Sequence, residues 1–523
     1  MRRAATLGLL LLAGCATPPP AAPPGAPTLA SLAPLRVHVD REPTPAPLEA
    51  PALAAYREFL GVATDPVQRA EVERRIGDLE MDRADRLAAA RGIAPDYRAA
   101  IAAYRARRAE FPHGARDDAV QYQLARAEDL DGDADAALAT LTGLAHDHPD
   151  SVYADEANFR RGEMLFARAD YAGAEPAYAA VLAGVRRHTL AADLPRAPLY
   201  ERALYMDAWS QYKLDHLDVA LAGFFELLDL KLGGLSPAAA EVEDPAAIQA
   251  LGRADLELVD DTLRIVAIGL SQQAGPDGGG AAIASHLQGR LRRGYAFRVY
   301  RALADLYLHQ GRHKDAGDTD AAFVRSDPLH AQAPHMQALA VQAYERGGLV
   351  ALALQARRDD VRLFGADSEL RRLRPTLWRQ TQPQVRADLA ELAHEAHARA
   401  QRDHAAADVD AAAHWYRELI AALPDAAAAQ QQRFLLAELL YDARRYADAA
   451  QAYETGAYAA PATPHGADAG YTALLAYAAQ PPTPALRRQA VASALEFARR
   501  YAGDPRCAAV LVQAATQLRD LGD

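Results

Sequence analysis

The apolar residues of this chain recur every three to four positions from Ala52 onward, in runs that short polar turns separate. Such spacing places apolar side chains on one face of an α-helix. No stretch shows the sustained alternation of apolar and polar residues that is typical of a half-buried strand. The pattern predicts an all-α fold that begins with a long helix from Pro66 to Arg91. The apolar stripe of this helix is predicted to comprise Val72, Ile76, Leu79 and Leu87.

The predicted helices pair into hairpins that repeat along the chain. The clearest two run from Asp117 to Pro149 and from Ala154 to Leu182, each as a helix, a short turn and a second helix. A small alanine lies early in three successive second helices, at Ala100, Ala137 and Ala174, and both intervals are 37 residues (137 − 100 and 174 − 137). Repeats of about 20 to 50 residues are typical of solenoids, in which each hairpin packs only on its neighbours.

Later parts of the chain continue this pattern with interruptions. Further hairpins are predicted over residues 200–230, 299–328, 333–364, 384–423, 432–461 and 466–501. Ala412 and Ala449 again lie 37 residues apart (449 − 412). An insertion at 231–253 and an irregular link at 365–383 separate the groups of hairpins. The last predicted helix ends at Leu521, at the position of a turn, which predicts either a truncated sequence or an unusual cap.

A combination of small and large residues gives the hairpins a family resemblance. Gly162 in a first helix, with Ala174 and Tyr178 in the second helix, resembles the tetratricopeptide repeat. Small residues let two helices cross closely, and a large residue one turn later fills the gap beside the next hairpin. Tyr104 and Leu141 stand at the same place as Tyr178 in their own repeats. The resemblance implies an α-solenoid of tandem helix-turn-helix repeats, with a period longer than the usual 34 residues.

The resemblance also implies a binding surface, because the first helices of a tetratricopeptide solenoid line a concave groove. Aromatic residues with a polar group are favoured at protein interfaces. The predicted partner-binding residues are Tyr122, Phe159, Phe166, Tyr205, Trp209, Tyr212, Phe434 and Tyr441. The alternative is that several of these side chains only pack between hairpins.

The amino-terminal residues have the form of a signal peptide. Residues 1–3 supply positive charge, and residues 4–12 form an apolar run that is too short to span a bilayer. Residues 12–15 (Leu-Ala-Gly-Cys) resemble the bacterial lipobox, which implies cleavage between Gly14 and Cys15 and lipidation of Cys15. An ordinary secretory signal with a chance cysteine is the alternative. The Pro- and Ala-rich segment 16–50 is predicted to be an extended tether.

The leader and the repeats together resemble the tetratricopeptide outer-membrane lipoproteins of Gram-negative bacteria. Ala16, which follows the cysteine, implies the outer membrane by resemblance to enterobacterial sorting. The resemblance implies a scaffold without enzyme activity or cofactor that binds protein partners in the cell envelope and is held to the membrane by its amino-terminal lipid. A regulator of an envelope enzyme, such as a cell-wall synthase or a polysaccharide-export factor, is one alternative. An enzyme with a cryptic site is another.

These predictions define the domain organisation. The boundaries are 1–14 for the signal peptide, 15–51 for the lipid anchor and tether, 52–230 for the N-terminal repeats, 231–253 for the insertion, 254–364 for the central repeats, 365–383 for the link and 384–523 for the C-terminal repeats, for which truncation is one of the two predicted alternatives.

Charge and cysteine content narrow the function classes. The formal net charge is −12, from 57 basic and 69 acidic side chains. A general nucleic-acid binder needs a basic surface to replace phosphate counterions, so no nucleic-acid partner is expected. Cys15 and Cys507 are the two cysteines of the sequence. Lipidation of Cys15 leaves Cys507 alone, so neither an internal disulfide nor a zinc site built on paired cysteines is expected.

Four short motifs suggest specific chemistry, but each also has an ordinary structural explanation. His394 and His397 are three positions apart, whereas the zinc-protease helix has two histidines four apart, so no metal or catalytic site is expected. The acidic stretch 129–135 has its glycine fourth rather than sixth, which favours a turn over a calcium loop. The glycines at 278–280 lack the Lys-Ser/Thr of a phosphate-binding loop and predict a break. A basic cluster could meet an acidic partner or lipid head groups, or it could be a solvated helix end. Its members are Arg290, Arg292, Arg293 and Arg298.

Overall fold

The computed structural model describes residues 49–188, 198–233, 251–274, 280–287, 294–425, 428–458 and 464–522. The leader with Gly14 and Cys15, nearly all of the tether, and most of the predicted insertion lie outside these described residues. Arg290, Arg292 and Arg293 of the basic cluster also lie outside the described residues. Within the described ranges, all regular secondary structure is helical, which confirms the all-α prediction. None of the described helices is both long and apolar enough to cross a membrane.

The chain forms two compact units that meet in sequence between Asp133 and Ala134. The first unit contains four described helices, which are α1 (Glu49–Val62), α2 (Pro66–Arg91), α3 (Arg98–Glu110) and α4 (Asp117–Leu130). Helix α2 has the predicted bounds. It begins at Pro66, where a missing backbone N–H costs nothing, and Asp65 caps it by accepting a hydrogen bond from the Val67 N–H at 3.0 Å.

The second unit begins with the second helix of the predicted hairpin 117–149 and continues with hairpins whose bounds follow the predicted repeat. In chain order, the second unit starts with α5 (Ala134–Asp147), α6 (Ala154–Ala167), α7 (Tyr171–His188), α8 (Pro198–Lys213), α9 (Leu217–Leu232), α10 (Arg253–Ala274) and α11 (Gly280–His286). The central helices are α12 (Ala296–His309), α13 (His313–Ser326), α14 (Ala333–Arg346), α15 (Val350–Phe364) and α16 (Glu369–Leu373). The last helices are α17 (Pro375–Asp403), α18 (Ala406–Ala422), α19 (Gln430–Asp442), α20 (Tyr446–Tyr458), α21 (Pro464–Ala478), α22 (Pro484–Arg500) and α23 (Cys507–Leu521).

The small residues that define the repeat lie where helices cross closely. The recurring alanines Ala174, Ala412 and Ala449 are fully buried. A Cβ atom added to Gly162 on α6 would lie 2.6 Å from the Tyr178 ring on α7, so glycine is required at this crossing. The fold is therefore a tandem array of helical hairpins, as the sequence predicted.

The predicted apolar stripe of α2 is wrong in detail. Leu87 is 39% exposed, and Val72 and Leu79 are only half-buried. The buried face consists mainly of small and unbranched side chains, including Ala70, Ala84 and Ala88 together with Ile76 and Met81. Neighbouring helices approach this face closely, so small side chains rather than leucines occupy it.

The predicted irregular link at 365–383 is also wrong, because α16 and the first part of α17 occupy most of it. Helix α17 continues through Pro383, which lacks the N–H that would bond to the preceding turn. Side chains near its start attach it to the end of α15. The Trp378 indole N–H donates to the Gly365 carbonyl, and the Gln382 amide donates to the Phe364 carbonyl, each at 3.0 Å. These tertiary contacts favour a helix that continues through Pro383.

The largest hydrophobic core of the second unit extends from α8 to α18. Phe224 and Phe225 on α9, Val266 on α10 and Tyr300 on α12 are almost completely buried in it. This packing fixes the first helices α8, α10 and α12 relative to one another. Their exposed side chains form the candidate site described next.

A candidate partner-binding groove

Three of the predicted partner-binding residues lie together on α8. Tyr205, Trp209 and Tyr212 are spaced by four and three residues, so they share one face of the helix. The Trp209 ring packs edge-on against Tyr205 and Tyr212, with centroid distances of 6.3 and 5.6 Å. Phe224 lies beneath them, 6.0 Å from Tyr205 and 6.1 Å from Trp209. All three α8 rings remain half-buried, so each still offers surface to a partner.

Hydrogen bonds join this aromatic row to α10. The Tyr205 hydroxyl donates to Asp261, and the Gln272 amide donates to the Tyr212 hydroxyl oxygen at 2.9 Å. Burial, and secondly the bond to Asp261, raise the pKa of Tyr205 to about 12. Burial alone would raise the pKa of Asp261, but the Tyr205 hydroxyl and the Arg264 guanidinium lower it. Asp261 is therefore ionised near neutral pH and holds both neighbouring side chains in place.

A cleft of about 520 Å³ separates α10 from α12. Its floor is apolar and consists of Leu263, Ala267, Phe297, Ala302 and Leu306. Its rim is charged and consists of Asp260, Arg264, Arg298, Arg301, Asp305 and His309. An apolar floor with a charged rim is the arrangement found at many protein interfaces. We call the aromatic row of α8 and this cleft together the groove.

Arg301 at the rim belongs to an ion-pair network that reaches the core. Its guanidinium pairs with Asp305 on α12 and lies 3.1 Å from Asp320 on α13. Asp320 is fully buried, and burial raises its pKa to about 7 although Arg301 acts in the opposite direction. Neither Arg301 nor Asp320 was predicted from the sequence as a site residue. A signal was present, because Asp320 stands where a tetratricopeptide repeat usually has an aromatic residue.

Two other predicted residues lie on α6, and the structure separates their roles. Phe159 is only 2% exposed, packs edge-on against Tyr178 at 5.8 Å and is covered by the Arg202 guanidinium. Its ring therefore belongs to the core, and we exclude it from the groove. Phe166 is half-buried and packs edge-on against Tyr171 at 5.0 Å.

The remaining predicted residues lie on other helices. Phe434 and Tyr441 on α19 are half-buried, and both contact the ring of Tyr453, at 5.8 and 6.5 Å. Tyr122 lies half-buried on α4 of the first unit. Of the eight predicted residues, the structure thus brings together Tyr205, Trp209 and Tyr212.

The two motifs that resemble metal sites lie in ordinary structural surroundings. His397 Nδ1 lies 2.9 Å from the Tyr416 hydroxyl oxygen on the next helix. Gly132 is the left-handed residue of the turn after α4, with φ 91°. Among the residues that the structure describes, no group of three or more His, Cys, Asp or Glu side chains is arranged to hold a metal ion.

Comparisons with known proteins give similarity only at the level of structure. No family model matches the sequence. No curated protein matches it either. One similar solved structure is that of Naa15/Naa10 bound to HypK-THB, with 12% identity, coverage of 90% of this chain and 66% of that chain, and a TM-score of 0.30. The TPR domain of P58(IPK) has 14% identity, coverages of 85% and 98%, and a TM-score of 0.20. The Cut9-Hcn1 hetero-tetramer of APC/C has 14% identity, coverages of 88% and 98%, and a TM-score of 0.26. These TM-scores are low, so neither a partner nor an activity is transferred from these proteins.

Proposed function

We propose that this chain is a scaffold that binds a protein partner in the groove of α8, α10 and α12. The observation that carries the proposal is that the half-buried aromatic side chains of α8 are held in fixed positions. Tyr205 and Tyr212 are each held by a hydrogen bond to α10, and the Trp209 ring is enclosed by its neighbours. Side chains that are fixed before binding lose little conformational entropy in a complex, and Tyr and Trp contribute strongly at interfaces.

The groove favours a partner segment with one apolar face and charged flanks. The apolar floor of the cleft between α10 and α12 would bury aliphatic or aromatic side chains, which supplies most of the favourable free energy of association. The rim carries charges of both signs. These charges would orient the partner and exclude segments whose charges do not match.

We further propose that lipid on Cys15 anchors the scaffold to the outer membrane, with the repeats in the periplasm. The support is the leader, in which the positive residues 1–3, the apolar run and the lipobox-like quartet are in the expected order. A tether of about 35 residues with extended geometry, at ~3.1 Å per residue, would let the groove reach partners up to ~100 Å from the lipid. The scaffold would then serve an assembly or transport complex of the envelope.

The test is site-specific photo-crosslinking in intact cells. A photo-reactive amino acid replaces His309, which lies exposed at the rim of the cleft. The control places the same amino acid at Lys314, which is also exposed but lies on the second helix α13. The proposal predicts a recurrent crosslinked protein from position 309 that is missing from position 314. Equal crosslinks from both positions, or none from either with the protein folded and abundant, would contradict it.

A further inference from the structure

A second cleft lies between α21, α22 and α23 and has a volume of about 280 Å³. Small side chains leave this space open, because four of the lining residues are alanines, namely Ala478, Ala490, Ala494 and Ala514. Larger apolar side chains complete the lining, among them Leu474, Leu486 and Val510. Sites for small ligands typically have volumes of about 300 to 1,000 Å³. A cleft at the lower end of this range fits a few residues of an extended peptide rather than a folded domain.

The walls of this cleft carry side-chain N–H groups that no described residue binds. Arg487 on α22 is half-buried, and its guanidinium makes no hydrogen bond or ion pair with a described residue. Gln513 and Gln517 on α23 are four positions apart and share one face of the helix. Their amides likewise have no partner among the described residues. Burial without a partner is unfavourable for a guanidinium, so an acceptor supplied by a ligand would stabilise it.

The charges of the lining balance, so the cleft favours an uncharged ligand. The lining contains one basic residue, Arg487, and one acidic residue, Asp520. Its aromatic surface is the half-buried ring of Tyr477 on α21. Apolar side chains, an aromatic ring and unpartnered N–H donors together suit a ligand that offers carbonyl oxygens and apolar groups but no net charge.

We infer that this cleft binds residues 16–27 of this chain (Ala-Thr-Pro-Pro-Pro-Ala-Ala-Pro-Pro-Gly-Ala-Pro). This segment contains no charged residue and has proline at positions 18–20, 23, 24 and 27. Each proline offers a carbonyl oxygen but no N–H, so the segment is rich in the acceptors that the cleft needs. Proline also favours the extended polyproline conformation, so binding costs little conformational entropy.

The contacts expected in the complex follow from the lining. Proline rings would pack on Tyr477 and on the apolar side chains of α21 and α22, as proline-rich segments pack in grooves lined by aromatic residues. The Arg487 guanidinium and the two α23 amides would donate hydrogen bonds to carbonyl oxygens of the segment. The site would then tie the amino-terminal segment to the last hairpins. The inference depends neither on the proposed groove, which involves different helices, nor on lipid at Cys15.

Photo-crosslinking in the full-length chain tests whether the segment occupies the cleft. A photo-reactive amino acid replaces Pro482, which is exposed and lines the cleft. The control places it at Leu495, which is 50% exposed on α22 but outside the lining. Mass spectrometry of the digested protein should find crosslinks from position 482 to residues 16–27, and at least fivefold fewer from position 495. Equal yields from the two positions, or no crosslink from position 482 to this segment, would overturn the inference.

Fluorescence anisotropy with a labelled synthetic peptide of residues 16–27 measures the affinity. The protein is the full-length chain in which the six prolines of this segment are replaced by serine, so that its own segment does not compete. The peptide should bind at one saturable site, and a peptide with the same six prolines replaced by serine should bind at least tenfold more weakly. Comparable binding of the two peptides, or no saturable binding, would refute the recognition of a proline-rich segment.

A substitution at Arg487 separates binding from folding. Arg487→Met keeps the length of the side chain but removes its N–H donors, so peptide affinity should fall about tenfold. The thermal midpoint should not change, because the guanidinium has no partner among the described residues. The control is Arg488→Met, at the next position of α22, which is exposed and outside the lining and should leave the affinity unchanged. Equal affinity of both variants for the peptide would show that the peptide binds elsewhere.

Discussion

The hydroxyl of Tyr344 donates a hydrogen bond to Asp318 at 2.7 Å, while its ring lies against the backbone of Gly317. The first unit contains the same arrangement, in which Tyr104 bonds to Asp78 at 2.8 Å and its ring lies against Gly77. In both cases the aspartate precedes the tyrosine by 26 residues (344 − 318 and 104 − 78). The Gly-Asp pair thus lets a neighbouring helix approach closely and also supplies the acceptor that a buried hydroxyl needs.

The Tyr344 ring lies so close to Gly317 that one methyl group added at Gly317 is expected to destabilise the fold. In Gly317→Ala the new Cβ atom would lie 2.5 Å from the Tyr344 ring, so α13 and α14 must move apart. We expect a loss of about 1–3 kcal/mol in the free energy of unfolding, measured by urea denaturation. Gly456→Ala is the matched control in the same unit, because its Cβ would meet only the Arg433 Cβ, at 3.4 Å. The control should be neutral or slightly stabilising. Equal effects of the two substitutions would refute this account.

A buried pair of carboxyl groups predicts a pH-dependent stability. Asp360 on α15 and Asp388 on α17 are both fully buried, and Arg357 pairs with Asp388 at 2.5 Å. Burial, and secondly the charge of Asp388, raise the pKa of Asp360 from 3.8 to about 9. Asp360 is therefore protonated at neutral pH in the folded chain and ionised in the unfolded chain.

The sign of the pH effect follows from these two states. The unfolded chain releases the Asp360 proton above pH 3.8, whereas the folded chain keeps it up to about pH 9. The contribution of Asp360 to the free energy of unfolding is thus fully present below pH 3.8. It falls between pH 3.8 and about pH 9, with a slope of roughly 1.4 kcal/mol per pH unit. Asp360→Asn should remove this slope, because the amide can donate to Asp388 as the protonated acid does. Denaturation of both proteins between pH 5 and 8 tests the prediction, and parallel curves for the two proteins would show that Asp360 ionises normally.

Arg264 offers a way to weaken the groove without unfolding it. Its side chain is 63% exposed and pairs with Asp261, and exposed pairs contribute only about 0–1 kcal/mol to stability. We expect Arg264→Ala to lower affinity for the crosslinked partner about tenfold and to leave the melting temperature nearly unchanged. Trp209→Ala should differ, because its ring contacts three others and its removal should lower the free energy of unfolding by about 2 kcal/mol or more. Partner binding that survives Arg264→Ala unchanged would place the interface elsewhere.

The anchoring proposal predicts the distribution of the chain among cell fractions. Cys15→Ser removes the thiol that would carry the lipid, and the repeats should then appear in the soluble periplasmic fraction instead of the outer-membrane fraction. Fractionation with immunoblotting measures this shift, and Cys507→Ser serves as the control that keeps the leader intact. Retention of Cys15→Ser in the outer membrane would mean that protein contacts, rather than lipid, hold the chain there.

The sequence by itself determined the helices and their pairing. The bounds of α2 and the recurring alanines could be predicted because helix formation and close crossing depend on residue spacing within one hairpin. The aromatic face of α8 was predictable for the same reason. Tyr205, Trp209 and Tyr212 lie within two turns of one helix.

The tertiary structure decided which of the predicted aromatic residues form a surface. The Tyr205 hydroxyl donates a hydrogen bond to Asp261, 56 positions further along the chain. The insertion between α9 and α10 interrupts the repeat, so residue spacing does not predict this bond. The helix through Pro383 likewise depends on the bonds that Trp378 and Gln382 make to the end of α15. Local spacing specifies each hairpin, but contacts between hairpins decide which side chains are covered, because burial depends on neighbours that are distant in sequence.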